Sequence, residues 1–266
     1  MCNNKKKNEK KKVSPIKQEA LRRPGRYLWH QITKKTFISM LVIFAPILIW
    51  IGMLLGILLA SFLKNTFAIT ILISLIPIWI IVGTIYVKRV EPEFNKLYLG
   101  FDGEVFIGEV LDSLKEKGCK IIHDFIYTYP KGKANIDHII VAPQGIFTVE
   151  TKVVSKIEGE KEEIIYNGQT VRISSGRSID NPLNQAEAEA RALEEFLSKR
   201  GENITVQPIV VYPHWFIKDE STANTRRVFV WHHTYFASNI PQWPVVLSEE
   251  QVSRIYKTLA EHNRES

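Results

Sequence analysis

Residues 135–152 read NIDHIIVAPQGIFTVETK, and this stretch decides how the chain of 266 residues is interpreted. Apolar runs flank the tetrapeptide APQG at 142–145. Proline at the second position and glycine at the fourth are typical of a type I β-turn. We therefore predict two antiparallel strands, 135–141 and 146–152, joined by this turn. A two-residue turn at 143–144 gives the same register, whereas a three-residue turn does not.

The predicted register brings two acidic side chains together. Asp137 lies directly opposite Glu150, and like charges in such a pair are destabilising. Lys152 follows Glu150 by two residues and shares its face. A divalent cation between the two acids would remove the repulsion, and Mg²⁺ or Mn²⁺ accepts oxygen ligands of this kind. The alternative is that Lys152 pairs with one acid at a solvated edge, where ion pairs contribute little.

The segment upstream of these strands predicts a helix from about residue 100 to residue 117. Asp102 is a candidate N-cap, and Gly118 is a candidate stop signal. Glu104 shares helical spacing with three apolar residues, Ile107, Leu111 and Leu114. This stripe favours a carboxylate aimed at an interior site, while the alternative is an acid that complements the helix dipole.

The remaining elements indicate a mixed α/β fold around one central sheet. We predict a strand at 120–127, a hairpin at 164–173 around the Asn-Gly pair at 167–168, and strands at 206–212 and 227–231. A helix should follow 181–185 and end near Gly201, with a packing stripe of Ala186, Ala190, Leu193 and Leu197. Ser248 and Gln251 have the spacing of a capping box for a last helix.

Two uncharged apolar runs, 37–63 and 67–87, precede this part of the chain. Each is long enough for a transmembrane helix, which needs about 20 apolar residues. The short connection at 64–66 predicts an antiparallel hairpin, and the basic flanks place both ends in the cytoplasm. The expected location is therefore a cell membrane, with two spans and the lipid bilayer as a partner. The alternatives, a cleaved signal peptide or two buried core helices, fit less well.

The charge of the chain is unevenly distributed. The net charge of +7 divides into +10 for residues 1–36, +2 for 37–97 and −5 for 98–266. Residues 1–36 predict a basic disordered tail, and the high pI is no argument for nucleic-acid binding by the folded part. Two cysteines are too few for a disulfide framework and fit a reducing compartment.

Four motifs in this order resemble the NERD (nuclease-related) domain family, which is similar to the restriction-endonuclease-like superfamily. The motifs are Gly103-Glu104, Asn135-Ile136-Asp137-His138, Glu150-Thr151-Lys152 and Asn181-Pro182-Leu183-Asn184-Gln185. The resemblance covers about 98–215, and we expect 216–266 to complete the domain. It implies a mixed central sheet flanked by helices, here preceded by the transmembrane hairpin.

The resemblance also implies roles for individual residues. Asp137 and Glu150 would bind Mg²⁺ or Mn²⁺, with Glu104 as a further acid near the metal. Lys152 would orient or deprotonate the attacking water, and Gln185 would border the site from its helix. The implied activity is metal-dependent phosphodiester hydrolysis of DNA or RNA by a membrane-anchored nuclease that faces the cytoplasm. The alternative is a non-catalytic module that binds nucleic acid or protein at the membrane, which the −5 charge of residues 98–266 favours.

Other candidate residues receive structural interpretations. His232 and His233 would point to opposite faces of a strand, which disfavours a shared metal. We expect His123 and His138 to be packing residues. The tryptophans that could stack on bases are more consistent with core packing, namely Trp215, Trp231 and Trp243.

Overall fold

The computed structural model describes residues 23–62, 66–129, 132–156, 161–177 and 179–265. The helices in these ranges are α1 (Arg26–Phe62), α2 (Thr66–Asp112), α3 (Leu183–Ser198), α4 (Tyr235–Asn239) and α5 (Glu249–Glu265). The strands are β1 (Lys120–Tyr129), β2 (Gly132–Ala142), β3 (Gly145–Thr151), β4 (Ile164–Tyr166), β5 (Val171–Ile173), β6 (Val206–Val211), β7 (Ile217–Asp219) and β8 (Phe229–Trp231). Short 3₁₀ helices follow α2 at Ser113–Lys117 and α4 at Ile240–Gln242.

A mixed five-stranded sheet forms the centre of the fold, in the order β1-β2-β3-β6-β8. The first three strands are antiparallel, and β6 and β8 continue the sheet parallel to β3. One face packs against apolar side chains of α3 and α5, including Leu193 and Leu259. The other face packs against α2 through Ile107 and Leu111. The predicted mixed α/β fold with helices flanking a mixed sheet is confirmed.

A second, three-stranded sheet corrects the prediction of one central sheet. Its order is β5-β4-β7, and the three-residue strand β7 has no counterpart in the prediction. The hairpin β4–β5 pairs Tyr166 with Val171, so four residues form the loop. The Asn167 side chain accepts hydrogen bonds from the backbone N–H groups of Gln169 and Thr170. These contacts stabilise a longer loop than the predicted two-residue Asn-Gly turn.

Helix α2 corrects the predicted helix start near residue 100. The helix is continuous from Thr66 to Asp112 and contains Pro77 and Pro92, so Asp102 lies inside it and caps nothing. Gly118 ends the following 3₁₀ helix in a left-handed conformation with φ of 85°, which confirms the predicted stop.

Helices α1 and α2 run antiparallel to each other. Lys35 Nζ lies 2.6 Å from Glu93 Oε2, and Ser39 Oγ lies 3.3 Å from Tyr86 Oη. Helix α1 begins at Arg26, inside the segment predicted as a disordered tail, and residues 1–22 lie outside the described residues.

The predicted membrane location is contradicted. Within the part of the chain that the structure describes, no helix offers a stretch that is both long enough and apolar enough to cross a bilayer. Helix α1 begins eleven residues before the predicted span 37–63. Helix α2 continues from the predicted span 67–87 to Asp112 and contains charged residues in this continuation. The predicted cell-membrane location with two spans and cytoplasmic termini is therefore wrong, and a lipid bilayer as a partner is unsupported.

Candidate active site

Strands β2 and β3 position the two central acids. Their paired residues run from Ala142 and Gly145 to His138 and Val149, which confirms the predicted register. Asp137 and Glu150 follow directly after the last of these pairs.

Both of these acids are buried, with relative exposures of 6% for Asp137 and 3% for Glu150. The Oδ2 atom of Asp137 accepts a hydrogen bond of 2.9 Å from the backbone N–H of Thr151. This bond fixes the Asp137 side chain against β3. The turn at 143–144 thus determines the geometry of the site through the register.

Lys152 is the first residue after β3, and its backbone N–H donates to Val211 O on β6 at 2.9 Å. Its Nζ atom lies 2.5 Å from Glu150 Oε1 and donates to Gln185 Oε1 at 3.0 Å. The ammonium is therefore held between the sheet and helix α3, on the same face as Glu150, as the spacing predicts.

Glu189 is a fourth acid of the site that the sequence analysis missed. It is 5% exposed, and its Oε1 atom accepts a hydrogen bond of 2.9 Å from Gln185 Nε2. Burial, followed by the negative charge of Glu150, raises the pKa of Glu189 well above its ordinary value. The available signal was the i,i+4 spacing of Gln185 and Glu189, which places both residues on one face of α3.

Glu104 reaches the site from α2 because the preceding residue is glycine. A Cβ atom on Gly103 would lie 2.0 Å from Val153 Cγ2, which is too close for any side chain. Gly103 therefore allows α2 to approach the chain just after β3. Glu104 is 7% exposed and shares its stripe with the buried residues Ile107 and Leu111, as predicted.

One cavity of about 530 Å³ collects these side chains. It is lined by all five predicted site residues, which are Glu104, Asp137, Glu150, Lys152 and Gln185. The helical pair α1–α2 contributes further lining residues, among them Tyr27, Leu28 and Lys96. The sequence did not indicate that α1 takes part in the site.

Two carboxylates of the site, Glu104 and Asp137, resist ionisation in the folded protein. Burial, with the neighbouring charges of Asp124 and Glu150, raises the pKa of Glu104 to about 8 despite a smaller lowering by Lys152. Burial also raises the pKa of Asp137 well above its ordinary value, with Glu150 as the next cause. Buried acids outnumber the lysine that contacts them here, so their negative charges are not balanced within the site.

Lys152 remains an ammonium in this environment. Burial alone lowers the pKa of its side chain, but the charge and hydrogen bond of Glu150 outweigh burial and raise it above the ordinary value. A lysine with a raised pKa is a poor proton acceptor near neutral pH.

The unpaired oxygens of the site fit a hard cation. Oε2 atoms of Glu104, Glu150 and Glu189 are buried without a hydrogen-bond partner among the described residues. An unsatisfied buried acceptor is costly, and carboxylate oxygens are what Mg²⁺ binds. In the described residues, however, no group of three or more His, Cys, Asp or Glu side chains is placed to hold a metal ion. Mg²⁺ commonly uses one or two carboxylates and keeps several waters, so the residues fit an open site of that kind.

Residues 99–213 match the nuclease-related domain family (NERD). This match supports a nuclease-related domain in this part of the chain. All five predicted site residues and Glu189 lie inside the nuclease-related domain, whereas Tyr27, Leu28 and Lys96 lie outside it. The resemblance predicted over 98–215 is thereby confirmed.

A related protein is known from Bacillus anthracis, where it is described as uncharacterized. It is 24% identical to this chain over 179 residues, which cover 66% of this chain and 81% of the relative. No solved structure matches the chain.

The four histidines considered as candidates differ in burial, since His123 and His138 are buried and His232 and His233 are half-buried. His123 and His138 are buried, with their Nδ1 atoms 2.9 Å apart, in agreement with packing roles. Strand β8 ends at Trp231, so the alternation argument for His232 and His233 does not apply. Their rings lie together, with centroids 3.9 Å apart.

The three tryptophans differ in burial. Trp215 and Trp231 are buried, as predicted for core residues. Trp243 is only half-buried and packs edge-on against Phe147 and Phe229.

Cys119 is a buried free thiol, and Cys2 lies outside the described residues.

Proposed function

We propose that this protein hydrolyses phosphodiester bonds of nucleic acid with the help of Mg²⁺ or Mn²⁺. The observation that carries the proposal is the single cavity lined by Glu104, Asp137, Glu150, Lys152 and Gln185. The match of residues 99–213 to the nuclease-related domain supports the same class of activity.

Asp137 and Glu150 are the proposed metal ligands, and Glu104 is proposed as a further acid near the metal. Such an ion, when bound, supplies Lewis-acid polarisation of the phosphoryl group. The raised pKa values of Glu104 and Asp137 mean that a cation competes with protons for these carboxylates.

Lys152 stabilises the negative charge that develops on the phosphoryl group during hydrolysis. Its raised pKa favours this electrostatic role over deprotonation of the attacking water. Gln185 keeps the Lys152 ammonium in place through its carbonyl oxygen, 3.0 Å away. The amide group of Gln185 is oriented in turn by its 2.9 Å hydrogen bond to Glu189.

The test is hydrolysis of labelled DNA and RNA by the full chain with Mg²⁺ or Mn²⁺. The full chain is needed because α2 is continuous through residue 98, and a fragment starting there would lose Tyr27 and Lys96 from the cavity. Glu150→Ala should lower the rate by at least about a hundredfold, since it removes a ligand of the reacting centre.

Glu195→Ala is the matched control, because this acid lies on α3 but is exposed and pairs with Lys199. It should retain the wild-type rate. Equal rates in the wild type and in Glu150→Ala, or no hydrolysis by the wild type, would contradict the proposal.

A second candidate function is a non-catalytic module that binds nucleic acid or a protein. The finding that favours it is the lack of a three-ligand metal arrangement among the described residues, together with the net charge of −5 over 98–266. Calorimetric titration of the full chain with Mg²⁺ and Mn²⁺ separates the two functions. Binding that disappears in Glu150→Ala supports the hydrolase, and no binding at millimolar concentrations supports the module.

A further inference from the structure

A second cavity continues from the one that holds the carboxylates. Its volume is about 340 Å³, and the two cavities share five lining residues: Lys96, Leu99, Lys152, Val153 and Asp180. Because they have walls in common, the two cavities form one groove between helix α2 and the chain that leaves β3. A ligand that occupies the carboxylate site can therefore extend into the second cavity.

The two ends of this groove differ in charge. The acids Glu104, Asp137 and Glu150 line only the first cavity. The second cavity is lined by Lys96, Lys152 and Arg177, with Asp180 as its acid. Lys96, Lys152 and Asp180 line both cavities, so the difference comes from the three buried acids of the first cavity and from Arg177 in the second.

Lys96 is the cation of the second cavity that is free to meet a ligand. Lys152 is held by Glu150 and Gln185, and Arg177 is held by Glu162 at 2.8 Å. Lys96 is exposed on α2 and makes no hydrogen bond or salt bridge among the described residues, although its charge also interacts with Glu93 on the same helix. A lysine ammonium binds phosphate as a compact point charge.

We propose that the second cavity is a phosphate-binding subsite in which Lys96 binds the phosphate next to the cleaved phosphodiester of a single nucleic-acid strand. This inference rests on the proposed function. The charge order of the groove supports it, because the cleaved bond needs the carboxylate end and the next phosphate of the strand needs a cation. Cavities of about this size enclose a ligand no larger than a drug-sized molecule, which fits one nucleotide of a flexible strand better than a duplex.

The subsite extends the functional surface beyond the nuclease-related domain. Lys96 precedes residue 99, where the family match begins. Helix α2 carries Lys96 at the same groove as Glu104, so one helix contributes both an acid to the first cavity and a cation to the second.

Fluorescence anisotropy of a labelled single-stranded oligonucleotide tests this subsite with the metal-free full chain in EDTA. Lys96→Ala should weaken binding by about fivefold at low salt and reduce the slope of log K against log salt by about 0.7, the value for one phosphate contact on a single strand. Lys96→Glu should weaken binding further. Asp180→Asn should strengthen it, since it removes the acid of the second cavity.

Lys257→Ala is the matched control, because it removes the same charge from an exposed position on α5. Equal affinities of Lys96→Ala and Lys257→Ala would overturn the subsite while leaving the proposed hydrolase intact. Tighter binding of a duplex than of a single-stranded oligonucleotide would overturn the proposal that the ligand is a single nucleic-acid strand. A wild-type protein that binds no oligonucleotide in EDTA would also overturn the subsite, while the hydrolysis assay with Mg²⁺ or Mn²⁺ tests the proposed function separately.

Discussion

Buried carboxylates in the described part of the chain include one that is balanced by a paired charge and several that are not. Glu162 is 8% exposed; one of its oxygens accepts from the Ser175 hydroxyl and the other from Arg177 at 2.8 Å. Around the carboxylate cavity, by contrast, Lys152 pairs with Glu150, while the buried acids Glu104, Asp137 and Glu189 have no ion pair among the described residues.

This difference separates a structural acid from acids that are available for chemistry. The Glu162–Arg177 pair balances its own charge, although the buried Nε atom of Arg177 has no hydrogen-bond partner among the described residues. The cavity retains three carboxylate oxygens without partners among the described residues. Proteins tolerate such costly groups mainly where function requires them, so opposite effects on stability are expected when the two kinds of acid are neutralised.

The largest effect on stability is expected for Glu162→Ala. Removal of one partner of a buried ion pair leaves the other charge uncompensated, which costs about 3–5 kcal/mol. The Arg177 side chain is 32% exposed, so we expect the lower end, about 3 kcal/mol, in urea unfolding. The double variant with Arg177→Ala should recover part of this loss. If the double variant were less stable than Glu162→Ala, the claim that Glu162 and Arg177 compensate each other's charge would be contradicted.

An effect of opposite sign on stability is expected at Glu104, where loss of the negative charge stabilises the folded protein. Its pKa of about 8 lies above the ordinary value of 4.5, so the folded protein holds this proton more tightly than the unfolded chain. The corresponding stability is complete below about pH 4.5, falls as the pH rises toward 8, and is lost above it. For metal-free protein we expect urea unfolding to show a progressive loss of stability as the pH rises through this range.

Glu104→Gln is the control for this pH dependence. The variant cannot ionise at this position, so its stability should fall less with rising pH, and above pH 8 it should exceed that of the wild type. If the stability of the two proteins fell equally with rising pH, the raised pKa of Glu104 would be contradicted.

The parts of the site that the sequence predicted depend on short-range rules. The turn at 143–144 fixes the register of β2 and β3, and this register brings Asp137 and Glu150 together. Helical spacing likewise places Glu104 on the buried stripe of α2. These inferences need only the local conformation of one hairpin and one helix, so they are accessible without a structure.

The missed features depend on contacts between distant segments. Gly100 and Gly103 disfavour a helix locally, yet α2 continues through both of them. They allow other segments to approach α2 closely, since a Cβ on Gly100 would lie 3.3 Å from Leu28 Cδ1. Glu189 enters the site only because Gln185 and Glu150 meet it in three dimensions. The contribution of Tyr27 to the cavity arises in the same way, from the docking of α1.

The smallest effect is expected at an ion pair that is balanced but exposed. Glu202 accepts hydrogen bonds from Arg254 at 2.6 and 3.1 Å, and these bonds lower the pKa of Glu202. Because the Arg254 side chain is 52% exposed, solvent and salt screen this pair strongly. Glu202→Gln should therefore shift the urea midpoint at neutral pH far less than Glu162→Ala does, and any shift should shrink in high salt. A loss as large as that of Glu162→Ala would mean that charge balance alone, and not burial, sets the cost of removing an acid from this protein.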